Sequence, residues 1–126
     1  MRDKIIDVMK KIMNQPDKIE GVAHSEGDEY YFKYNDIFMS VMQRQQARGP
    51  ASQFGIYSVY IYPHYKGSVE ALQQSFEFGN EDEIELVGFH VNEFKDADKD
   101  VFKTFYRFLS DKYFGVDKIL DSILKS

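Results

Sequence analysis

Three histidines come first, because an imidazole titrates near neutral pH and can serve as acid, base or metal ligand. They are His24, His64 and His90. No two stand at the i, i+4 spacing that places both rings on one helix face. His64 lies in Pro63-His64-Tyr65-Lys66-Gly67, directly after a strand-like run, and loops after strands commonly carry site residues. His90 lies in a second extended run, with Glu93 three residues on. If the ends of those runs met in space, His64, His90 and Glu93 would form a small-ligand pocket or an acid–base site.

Other chemistry is absent. There is no cysteine, so thiolate nucleophiles, disulfides and cysteine-ligated metals are excluded. The sequence has no G-x-x-x-x-G-K-[ST], no G-x-G-x-x-G and no G-x-S-x-G. Asp96, Asp98 and Asp100 have the opening spacing of a calcium loop. Val101 then stands where that loop needs glycine, and Arg107 where it needs a bidentate glutamate, so the cage cannot close. Neither a metal nor a cofactor is expected, and the missing motifs point away from an enzyme.

The acids carry the strongest compositional signal. The formal charge is −5 overall. Between Glu77 and Asp100, nine acids and two lysines leave that segment at −7, and the rest of the chain at +2. Glu81, Asp82, Glu83 and Glu85 crowd four carboxylates into five positions. Such a cluster keeps an edge strand soluble, or steers a basic partner by charge complementarity. Phosphate backbones would be repelled, so nucleic acid is disfavoured as a partner.

Tyrosine is the other excess. Tyr30, Tyr31, Tyr34, Tyr57, Tyr60, Tyr62 and Tyr65 all fall on strand-like runs or the turn beside one. Side chains alternate along a strand, so Tyr60 and Tyr62 share a face and Tyr57 takes the other. Tyr60, Tyr62 and Tyr65 are therefore candidate anchors of a protein interface, where tyrosine is enriched. The competing reading is core tyrosines with wet hydroxyls.

The elements that must position these residues follow from periodicity. Residues 2–14 read as an amphipathic helix, with Ile5, Val8, Met9, Ile12 and Met13 on one stripe, stopped by Pro16. A helical turn is expected at 17–20 and a loop at 24–28. Residues 30–34 and 37–42 alternate as a hairpin around Asn35-Asp36. Residues 43–52 read as a loop. Residues 54–62 give the strongest strand, and 83–92 a further one, with Gly88 marking a bulge or a close backbone approach. Ser68 caps a short helix with Val69, Leu72 and Phe76 inward. A long helix runs over 98–114 to Gly115. A last one, capped by Asp117, should turn Ile119, Leu120, Ile123 and Leu124 inward.

One domain over 1–126 is expected: α+β, a two-layer sandwich of an antiparallel sheet of about four strands, with the N- and C-terminal helices packed on one face. Asp3 and Asp7 break any signal-peptide core, and no run approaches a membrane span, so a cytoplasmic protein is expected. Its function reads as a non-catalytic acidic module that docks a protein with a basic surface, immunity- or inhibitor-like in character. The alternatives are the His64/His90/Glu93 site and a homo-oligomer, a homodimer in the simplest case.

Overall fold

The alternating aromatic and β-branched runs do become strands. In a computed structural model, which describes residues 3–26, 28–44, 56–79 and 84–126 except the side chains at 116 and 117, they form one antiparallel sheet. Its strands are β1 (Ile19–Ser25), β2 (Glu29–Tyr34), β3 (Ile37–Gln43), β4 (Tyr57–Tyr62) and β5 (Val87–His90), neighbours in that order. The β2–β3 turn is the expected one. Asn35 and Asp36 both take positive φ (50° and 64°), the backbone a two-residue hairpin needs.

Pleating gives the sheet two different faces. Tyr30, Phe32, Tyr34, Met39, Val41, Tyr57 and Val59 point to one. That face is covered by α1 (Lys4–Asn14) and α3 (Asp96–Phe114), through Ile5, Met9, Ile12, Phe102, Phe105 and Leu109. Tyr31, Phe38 and Tyr62 point to the other, where α2 (Val69–Glu77) packs Val69 and Leu72 against them. The chain is thus α+β, with the N-terminal helix α1 and the long helix α3 on one face and α2 on the other. Among the described residues no helix is long and apolar enough to cross a membrane.

Four local readings change. The sheet has five strands rather than about four, because residues 19–25 form β1 after a 3₁₀ turn at Pro16–Lys18. Gly21, at φ 60°, sits at a register shift between Glu20 and Val22. That bulge breaks the alternation that marks a strand, and pairing with β2 overrides the weak local signal. The 83–92 strand is shorter, since Val91–Glu93 closes as a 3₁₀ turn. In the 43–52 loop, Gln43 ends β3 and positions 45–52 lie outside the described residues, as does the start of the 54–62 strand. The last helix, α4 (Val116–Lys125), takes Gly115 rather than Asp117 as its N-cap. Ile119, Leu120, Ile123 and Leu124 face solvent instead of the core, because α1 and α3 already fill the sheet face they would have joined.

Candidate functional site

The second face of the sheet is only part-covered, since α2 packs chiefly over β1 and β2. Cross-strand register lines up what remains. Glu29 stands beside Met42, Met42 beside Ser58, and Ser58 beside His90; one row over, Tyr31, Ser40, Tyr60 and Gly88 are neighbours. The face is therefore polar where the opposite one is apolar.

Glu29 is its centre. The Tyr31 hydroxyl donates to Oε1 at 2.7 Å and the Ser40 hydroxyl to Oε2 at 2.6 Å. Ser40 also lies 2.7 Å from the Tyr62 hydroxyl, and both residues are buried. Burial pushes the Glu29 carboxyl above its ordinary value, outweighing the hydrogen bonds from Ser40 and Tyr31 and the attraction of Arg44, which all lower it. Burial, reinforced by the nearby Glu29 charge, likewise pushes the Tyr31 and Tyr62 phenols far up, so both remain protonated donors.

A second group flanks the first. Arg44 donates to Ser58 Oγ at 2.7 Å and to the Tyr60 hydroxyl at 3.1 Å. Ser58 Oγ lies 2.7 Å from His90 Nδ1. That distance suits a nucleophile and its base, but Ser58 is fully buried and already accepts from Arg44. His90 is engaged as well: its side chain accepts from the Glu93 backbone N–H, while the Glu93 carboxylate accepts from the His90 backbone N–H. The pair holds Arg44 and the end of β5 in place. Gly88 permits this, since a Cβ there would come within 2.9 Å of the Tyr60 ring and 3.2 Å of His90 Nε2. The close approach expected at Gly88 is what the structure shows.

Two adjoining clefts of about 310 and 320 Å³ open over these residues. They share Glu29, Met42 and Phe76 and form one groove beside α2. Tyr60, Tyr62 and Leu86 line one half; Ser25, Glu26, Tyr31 and Glu77 line the other. Phe76 packs on Tyr31 and Tyr62, with ring centroids at 6.0 and 5.6 Å. Among the described residues the groove thus has an aromatic wall, three carboxylates and no lysine or arginine in its lining.

The residues singled out by sequence are distributed differently. His64 does not join His90 and Glu93. β4 and β5 are antiparallel, so the residue after β4 and the last residue of β5 lie at opposite ends of the sheet. His64 is exposed beside Glu85, with Nε2 3.6 Å from Oε2. Glu81, Asp82 and Glu83 lie outside the described residues, and Glu85 is exposed. Tyr62 is buried beneath α2, Tyr65 packs edge-on against Phe38, and Tyr60 lines the groove. Glu29, Ser40, Ser58 and Arg44 escaped sequence reasoning. Their one available signal was the outward register of two serines in otherwise apolar strands. Among the described residues no group of three or more His, Asp or Glu side chains is placed to hold a metal. No protein-family model, curated protein or solved structure matches the chain.

Proposed function

We propose that the protein binds a small cationic ligand in the groove beside α2, with Glu29 receiving its charged, hydrogen-bond-donating head. The observation that carries this reading is the Glu29 carboxyl, which lines both halves of the groove, is largely buried, and is held by Tyr31 and Ser40. A carboxylate set in a mostly apolar cleft is costly to keep charged, and an incoming cation would add to the partial compensation from Arg44. Glu26 and Glu77 add attraction, while Phe76, Met42 and Leu86 offer surface to an apolar body. A few convergent polar groups in an apolar cleft are the usual form of a ligand site. Among the described residues the Ser58–His90 pair is the one that resembles a nucleophile and its base, and Ser58 is buried and engaged by Arg44, which favours binding over catalysis.

The test uses phenethylamine as probe and phenylpropionate as its anionic counterpart, followed by amide and methyl NMR shifts. Shifts near Met42 and Phe76 with the amine, absent with the carboxylate, are expected. No shift at millimolar amine, or equal response to both, would overturn the reading. Docking of a basic protein is the second reading, favoured by the −7 charge of residues 77–100 and by the exposed Glu85. Binding driven by that charge should weaken steeply with added salt.

A further inference from the structure

α4 has a stripe of large apolar residues at i, i+1, i+4 and i+5, and each of them is more than half exposed. Ile119, Leu120, Ile123 and Leu124 are 53%, 52%, 64% and 83% exposed. Tyr113 and Phe114, next to α4 in the chain at the end of α3, are 42% and 56% exposed. Gly115 joins the two helices in the left-handed conformation, at φ 64°, with nothing within 4 Å of where a Cβ would stand. It therefore redirects the chain without hindering a neighbour's approach.

At roughly 150–200 Å² for a large apolar side chain, six residues so exposed leave on the order of 600 Å² per chain. That is at the upper limit of what a soluble monomer leaves open. Two such faces together come to about 1,200 Å², where specific protein interfaces begin. The opposite side of α4 carries Lys118, Asp121, Ser122 and Lys125. This mixture of signs is not the lysine-rich polar face of a helix that lies on lipid. The face is a convex helix side. Helix sides pack on helix sides, and a second copy brings an identical one, as in the commonest two-fold assemblies.

We infer that two copies of this chain pair through α4 and the adjoining end of α3. Light scattering on the full chain should give twice the 14.8 kDa chain mass at tens of micromolar. Leu120→Asp with Ile123→Asp should return it to one chain, with far-UV circular dichroism and Tm of the monomer retained because both positions are exposed. Ser122→Asp, on the polar side, should leave the dimer intact. The chain has no native cysteine, so Ile123→Cys should trap a disulfide-linked dimer on oxidation and Lys118→Cys should not. A native chain of single mass at every concentration overturns the inference. So does a dimer that survives the double variant, or α4 engaging lipid vesicles or a different protein while the chain stays monomeric.

Discussion

Glu29 offers a test that separates a ligand site from a structural hydrogen bond. Burial raises its carboxyl above the ordinary 4.5, so the folded chain binds this proton more tightly than the unfolded chain does. Its contribution therefore favours folding below about pH 4.5 and is lost as pH rises through the raised value. Glu29→Gln keeps the size and removes the charge. The variant should lose this component of the pH dependence and have a higher Tm than the native chain at about pH 7. The same variant should lose affinity for the amine probe. Native affinity should itself fall as pH drops through the Glu29 titration, because the cation prefers the ionised carboxylate. A Tm lower than native at neutral pH would mean that the carboxylate serves the fold alone.

At the scale of elements, α2 links stability to the groove. Its first turn is closed by Ser68, whose Oγ accepts from the Ala71 N–H at 3.0 Å. Val69 and Leu72 then anchor it over Tyr31 and Tyr62, and Phe76 forms the groove wall. Ser68→Ala should cost about 1 kcal/mol in denaturant unfolding. Because the same helix positions Phe76, the amine probe should also bind more weakly, although Ser68 is absent from the groove lining. An unchanged midpoint would show that the cap is not needed to hold α2.

For the whole molecule, stability concentrates on the face under α1 and α3. Phe102, Phe105, Leu109, Met9 and Ile12 are fully buried there against Phe32 and Val59. Phe102→Ala should cost about 3–5 kcal/mol, read from the unfolding midpoint, because the cavity lies between two rigid layers. Phe78, 71% exposed beyond the end of α2, should tolerate the same change within about 0.5 kcal/mol. The molecule thus divides its labour. One sheet face is apolar and holds the fold, and the other is part-open and more polar, which is where the proposed ligand would bind.

Local pattern was enough for much of this architecture. Amphipathic periodicity placed α1, α2 and α3, the Ser68 cap and the Gly115 C-cap, since these depend on neighbours within a turn or two. Alternation placed β2, β3 and β4 and assigned Tyr57 and Tyr60 to opposite faces, because strand side chains alternate whatever the fold. β1 was not legible, since its bulge at Gly21 hides the period and only pairing with β2 makes it a strand. The candidate site was scarcely legible at all. Glu29, Ser40, Ser58 and His90 come from four strands and meet only through cross-strand register, which also parts His64 from His90. The apolar stripe of α4 was visible in the sequence, but periodicity states only that a face needs covering. Whether the same chain covers it depends on how the other helices fill the sheet, and only the tertiary structure decides that.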